Sequence, residues 1–237
     1  MQKLRFVLLA GLVGATAACG GSGTPGSTTV NTLVAPQPLG PEAVLTQLLQ
    51  ELKAGNYSAT SDLVDEAQLG LLAAIEVPDA TALLSYEDRG LSVQARDNFW
   101  SAFAASLPGL VDAEPDSIAA TIDRQFATDG VRFAIGSIRF GVQEISGVFV
   151  LRLVDDRWEL DPIATFGGPF VAPIRNWLRT IPPEQVAPVS DLLRRDAPSW
   201  RLLGDLQTDE IEAGIAIKSE VDDLLIEIGA GLPEGGS

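Results

Sequence analysis

The stretch from Val131 to Ile163, VRFAIGSIRFGVQEISGVFVLRLVDDRWELDPI, decides the fold. Val131, Phe133 and Ile135 alternate with Arg132 and Ala134, the period-two pattern of a half-buried strand. After Gly136-Ser137 the phase reverses, and Ile138, Phe140 and Val142 carry the apolar side. A reversal beside a glycine predicts a bulge or sharp bend within one long strand. Val148 to Val154 is apolar on both faces except at Arg152, which predicts a central strand. Asp155-Asp156 makes a tight turn, since both residues tolerate left-handed backbone. Arg157 to Ile163 returns with Trp158 and Leu160 inward and Arg157, Glu159 and Asp161 outward, and Pro162 marks its end or an edge.

Outward from this sheet the period becomes helical. Upstream, Pro41 opens a helix with the apolar stripe Val44, Leu45, Leu48, Leu49 and Leu52, and Gly55 ends it. A second helix is expected over about Ser58 to Ile75, closed by Val77-Pro78, and a third over Val93 to Leu107, stopped by Pro108-Gly109. Residues 79–92 give a weaker pattern, read as a short helix and then a loop at Asp88-Arg89-Gly90. A fourth, short helix is expected over about Pro115 to Phe126, with Asp116 in its first turn. Downstream, helices are expected over Pro169 to Thr180, Pro183 to Arg195 and from Pro198 through Leu203. The last helix is capped by Thr208 or Asp209, has Glu210 and Glu212 in its first turn, and buries Ile217, Val221, Leu224, Leu225 and Ile228 before Gly229 and Gly231. The expected class is α+β: N-terminal helices on a small curved antiparallel sheet, then a helical extension. The expected division is an α+β domain over 41–164, a helical extension over 165–230 and a disordered tail over 231–237.

The start of the chain reads differently. Lys3 and Arg5 precede the apolar run Phe6 to Val13, and Ala15, Thr16, Ala17 and Ala18 lead to Cys19, the one cysteine of the 237-residue chain. That is the layout of an export signal over 1–18. Its apolar run is shorter than the roughly 20 residues a bilayer requires. A cysteine directly after the small residues resembles the lipobox of bacterial lipoproteins, with Thr16 where a leucine is usual. The resemblance implies cleavage before Cys19 and attachment of lipid, a diacylglycerol with palmitate-type chains, to its sulfur. The alternative is an ordinary cleaved signal with Cys19 incidental. Residues 19–40 then form the lipidated cysteine and a linker, flexible at Gly20, Gly21, Ser22 and Gly23 and stiffened at Pro25, Pro36 and Pro38. The implied location is the bacterial cell envelope, anchored to a membrane and facing the extracytoplasmic side.

Composition narrows the rest. With 46% hydrophobic residues a substantial core is available. The net charge of −16 repels nucleic acid and anionic lipid headgroups, and losing Lys3 and Arg5 with the leader would leave the chain more acidic still. No cysteine remains for an internal disulfide after Cys19.

The order of helices, bent strand and the hairpin Asp155-Asp156-Arg157-Trp158 over about 41–164 resembles the NTF2-like fold. That likeness implies a sheet wrapped around helices as a cone with an apolar pocket. Its candidate lining is Trp100, Phe103, Phe133, Phe140, Phe149 and Trp158, with Arg139 and Arg152 as contacts for a ligand anion. The plainer reading makes the aromatics core and pairs the arginines with Glu144 or Glu159, or leaves them exposed. Arg175, Arg179, Arg194, Arg195 and Arg201 form a local basic bias, either a partner surface or the wet side of helices.

The absence of histidine removes His-based acid–base catalysis, Ser-His-Asp triads and most zinc sites. Gly-x-Ser-x-Gly, Ser-x-x-Lys, phosphate-loop and dinucleotide patterns are missing, and neither Asp155-Asp156 nor Asp222-Asp223 has calcium-loop spacing. No metal, cofactor or catalytic residue is therefore expected. The expected function is binding, of an apolar small molecule or lipid, or of an envelope protein. The alternatives are an enzyme using carboxylates in the same cavity and a purely structural or assembly lipoprotein.

Overall fold

The computed structural model of the chain describes residues 38–76, 83–84, 90–107, 109–110, 112–206 and 213–230. The leader, Cys19, the linker up to Gln37, Val77-Pro78, Asp88-Arg89, Pro108, the cap at Thr208 or Asp209 with Glu210 and Glu212, and the tail after Ala230 lie outside them. Residues from Pro38 onward form one compact unit.

The sheet is a four-stranded antiparallel meander in the order β1-β2-β3-β4, with β1 Ile118–Thr128, β2 Val131–Phe140, β3 Gln143–Val154 and β4 Arg157–Leu160. The expected bulge in β2 is corrected: β2 keeps its alternation through Gly136-Ser137, and the extra residues lie on its neighbours, Asp123 in β1 and the 146–148 stretch of β3. The β2–β3 register shifts between Gly136 and Ile138, and the β1–β2 register between Ile122 and Arg124. Gly136 is needed there because a Cβ would lie 2.7 Å from the Thr121 carbonyl oxygen. Phe133 and Ile135 face one side of the sheet and Ala134, Ile138 and Phe140 the other, so the large apolar residues of β2 pass from one side to the other at Gly136. The β3–β4 turn has Asp155 at φ 46° and Asp156 at φ 63°, the left-handed pair that fits the twist of a two-residue hairpin.

Each face of the sheet has its own cover. On one lie α1 (Pro41–Ala54) and α3 (Val93–Ser106), packed on Ile138, Phe140, Phe149, Leu151, Trp158 and Leu160. α1 begins at Pro41 and ends on Gly55 at φ 70°, and Ser92 caps α3 by accepting from the Ala95 amide at 3.2 Å. On the other face Phe133, Ile135 and Val150 meet Ala164 of α4 (Pro162–Phe166) and Leu202 of α7 (Ala197–Leu206). Behind them α2 (Glu66–Glu76), α5 (Val171–Leu178), α6 (Pro183–Arg195) and α8 (Ala213–Glu227) share a second apolar core around Trp200, Val221 and Leu224. The helical stretch after 164 is thus packed onto the sheet within the same compact unit.

Three further expectations are corrected. The helix over Pro115 to Phe126 is instead one 3-10 turn, Pro115–Ser117, followed by β1. Pro115 and Asp116 do start a helical turn, but β2 offers a pairing partner from Ile118↔Phe140 to Thr128↔Val131. Asp129-Gly130, at φ 53° and 76°, closes that hairpin. The helix over Ser58 to Ile75 is broken. A 3-10 segment, Tyr57–Asp62, precedes a backbone bridge in which the Asp65 amide donates to Leu160 at 3.1 Å and the Leu160 amide donates to Leu63 at 2.8 Å. That bridge covers the free edge of β4, and α2 starts only after it. The return strand stops at Leu160, and neither Glu159 nor Asp161 points to solvent: they are 8% and 0% exposed.

Candidate functional site

The chain concentrates its buried polar chemistry where three helices begin. Asp65 precedes α2, and its carboxylate accepts from the Gln68 amide at 3.1 Å. Asp161 precedes α4 and accepts from the Ala164 amide at 2.8 Å. Asp196 precedes α7, and its carbonyl accepts the first helical hydrogen bond, from Trp200, at 3.1 Å. Each thus stands where aspartate is favoured, at the positive end of a helix dipole.

One cation serves all three. Arg152, on the α4–α7 face of β3, donates from Nη2 to Asp65 and from Nη1 to Asp196 at 3.2 Å. Gln68, 1% exposed, ties the junction together: Nε2 donates to Asp196 at 2.9 Å and to Ser199 Oγ at 3.2 Å, and Oε1 accepts from the Ile163 amide at 3.1 Å. The Ser199 hydroxyl donates onward to Asp161 Oδ2 at 2.5 Å. Ser199 and Asp161 are fully covered.

The electrostatics follow from three carboxylates sharing one guanidinium. Burial pushes the Asp161 carboxyl up to about 6. The Ala164 amide, the Arg152 charge and the Ser199 hydroxyl pull it back, while the Asp196 charge adds to the rise. Burial likewise raises Asp196 against the opposing Gln68 hydrogen bond and Arg152 charge. It raises Glu159 against Arg157, which donates to it at 2.6 Å. Burial opposes the Arg152 cation, but the charges of Asp161, Asp65 and Asp196 outweigh it and hold the guanidinium above its ordinary value. Among the described residues no group of three His, Cys, Asp or Glu side chains is arranged to hold a metal ion.

The residues expected to line a pocket are divided between the two sides of the sheet. Trp100, Phe140, Phe149 and Trp158, with half-buried Phe103, belong to the α1–α3 core. Phe133 belongs to the opposite core and stacks on Phe126 at 6.0 Å. Trp100 and Phe133 are 0% exposed. Arg152 turns inward to Asp65 and Asp196, whereas Arg139 is exposed, opposite Glu144 in the β2–β3 register; the Glu144 side chain lies outside the described residues. Of the downstream arginines, Arg175 and Arg179 pair with Glu227, and Arg175 also with Asp223 at 2.8 Å. Arg194 caps the Ile228 carbonyl, and Arg201 binds Asp129 and the Ala230 carbonyl. These arginines fasten the end of α8 to its neighbours. Arg195, exposed near the end of α6, is also engaged within the protein.

Two surface depressions lie elsewhere. One, of about 730 Å³, is an open trough along the polar side of α1 from Gly40 to Glu51. The other, of about 250 Å³, lies between Leu52, Tyr57, Ala104 and Leu110. Neither is lined by the Arg152 junction or by the aromatic set. Asp161 has the proton affinity of a general acid, but it and its partner Ser199 are covered by protein.

Sequence analysis named Arg152 but missed Asp65, Gln68, Asp161, Asp196 and Ser199. The cap signals were present as Asp161-Pro162, Asp65-x-x-Gln68 and Asp196-Ala197-Pro198. Set against protein-family models, curated proteins and solved structures, the chain matches none of them.

Proposed function

We propose that this chain is a lipid-tethered protein of the bacterial cell envelope that works by binding another envelope protein, with no apolar cargo inside its domain. The tether rests on Cys19, the one cysteine, placed directly after the small residues of an export-type leader. No helix among the described residues is long and apolar enough to cross a membrane. The observation that carries the choice of partner is the state of the aromatic set. Trp100, Phe140, Phe149 and Trp158 fill the space between the sheet and α1 and α3, where a cone-shaped fold would keep a ligand. The narrower NTF2-like reading enters here as a closed cone, a sheet around helices with its concavity packed.

The tether is tested by labelling cells with radioactive palmitate and fractionating them. Wild type is expected to carry label and sediment with membranes, and Cys19→Ala to lose both. An unlabelled wild-type protein outside the membrane fraction would remove the tether. The absence of cargo is tested by the native mass of the purified protein, which is expected to equal polypeptide plus covalent lipid. A further mass that leaves on denaturation would return the reading to a carrier of apolar ligand.

A further inference from the structure

The Arg152 junction is more acidic than packing requires. Three carboxylates converge on one guanidinium, and the deepest of them, Asp161, receives no hydrogen bond from it. Arg152 on β3 and Asp196 at the start of α7 act on Asp161 by charge, Ser199 acts on it by hydrogen bond, and Gln68 at the start of α2 reaches it through Ser199, while Asp65 before α2 and Glu159 on β4 interact with their shared partner Arg152. An apolar residue in place of Asp161 would leave the Ala164 amide without its acceptor, and a charged one adds to the repulsion from Asp196. A protonated carboxyl meets both demands, because it still caps α4 through Oδ1. Ser199 is the partner that permits it. Its hydroxyl donates to the ionised form, and by rotating it accepts from the protonated form while still accepting from Gln68.

We propose that this junction is a proton-operated clasp, in which one proton on Asp161, taken up as the extracytoplasmic surroundings turn mildly acidic, tightens α7 and α4 against the sheet, and its loss near neutrality loosens them.

The sign follows from linkage. The Asp161 carboxyl takes its proton at about 6 in the fold, above the usual aspartate value in an unfolded chain. The folded protein therefore binds the proton more tightly. Stability from this group is fully present below about pH 4 and is lost as pH rises through about 6. Asp196 and Glu159, raised by burial, act in the same direction.

The test is thermal unfolding of the full chain in mild detergent, followed through tryptophan near-UV dichroism at pH 5.0 and 7.5. Wild type is expected to melt higher at pH 5.0, with a folding equilibrium larger by about tenfold. Asp161→Asn, a neutral side chain of the same shape that still caps α4, is expected to remove most of that difference and to be at least as stable as wild type at pH 7.5. A wild-type midpoint that stays level or rises from pH 5.0 to 7.5 would overturn the clasp, as would an Asp161→Asn protein that keeps the wild-type pH slope. Should that variant fail to fold, carboxyl carbon-13 titration of wild type decides alone. A midpoint near 6 for Asp161 supports the clasp, and one near 4 overturns it.

Discussion

The two faces of the sheet are held down by different chemistry. Toward α1 and α3 the contact is apolar and redundant, with Trp100, Phe140, Phe149, Leu151, Trp158 and Leu160 sharing one core. Toward α2, α4 and α7 a smaller apolar patch adjoins a junction in which Arg152, Asp65, Asp161, Asp196, Gln68 and Ser199 satisfy one another. Apolar packing is tolerant: many side-chain combinations fill the same volume. A buried polar junction is stoichiometric, so removing one member strands the rest. The first face is held by apolar burial, and the second fixes where three helices begin.

The largest expected effect lies on the apolar face. Trp100 is 0% exposed and meets Phe99 edge-on at 4.9 Å and Phe103 at 5.8 Å. Trp100→Ala is expected to cost about 3–5 kcal/mol in urea unfolding. The loss should be the same at pH 5.0 and 7.5, since the ring packs within an apolar cluster. A strongly pH-dependent loss would show that the two faces are coupled.

Arg152→Met should behave in the opposite way. It keeps the aliphatic stem and deletes the charge that pairs Asp65 and Asp196. A buried pair broken at one partner costs about 3–5 kcal/mol. Because roughly 15% of each of these side chains reaches solvent, the lower end, about 3 kcal/mol, is expected at pH 7.5. The loss should shrink at pH 5.0 as Asp161 takes its proton and as Asp196, also raised by burial, begins to follow. Equal losses at both pH values would remove the distinction between the faces.

Gly136 lies where the apolar side of β2 changes from one face to the other, so both faces depend on it. A Cβ there would meet the Thr121 carbonyl oxygen at 2.7 Å and Leu45 at 3.3 Å, and the backbone oxygen cannot move without breaking the β1–β2 ladder. Gly136→Ala is expected to cost about 2 kcal/mol. Amide exchange in β1 should rise more than in β4, which does not pair with β2.

What was legible in the sequence divides along the same line. Periodicity is a statement about apolar burial, so it located α1, α3, α6 and the change of apolar side at Gly136, which it took for a bulge in β2; the turn residues located the Asp155-Asp156 hairpin. It misread β1 because Ile118, Ala119, Ala120 and Ile122 suit a short helix as well as a strand. The deciding signal was two residues long: Asp129-Gly130, flanked by Phe126 and Phe133. The junction was hidden for a different reason. Its members are spread from Asp65 to Ser199, and each on its own is an ordinary cap or turn residue. Only the closure of the sheet, which brings β4 beside Val64 and α7 over β3, turns three separate caps into one charged cluster.

The smallest expected effect makes that point with a single residue type. Arg139 and Arg152 are both arginines set among apolar residues on adjacent strands, and nothing in their local sequence separates them. Position along the sheet does. Both lie on the Phe133 side of it, Arg139 exposed and opposite Glu144 toward the far end of the β2–β3 hairpin, Arg152 opposite Phe133 and turned toward the three helix starts. An exposed cross-strand charge contributes little, because water and salt screen it. Arg139→Ala is therefore expected to change stability by less than about 0.5 kcal/mol, with little difference between low and high salt. Measured beside Arg152→Met, it asks whether burial among carboxylates, rather than arginine on a strand as such, makes the difference. A loss at Arg139 comparable to that at Arg152 would mean that the exposed end of β2 carries a second polar junction on the same side of the sheet, and burial among carboxylates would no longer be what sets Arg152 apart.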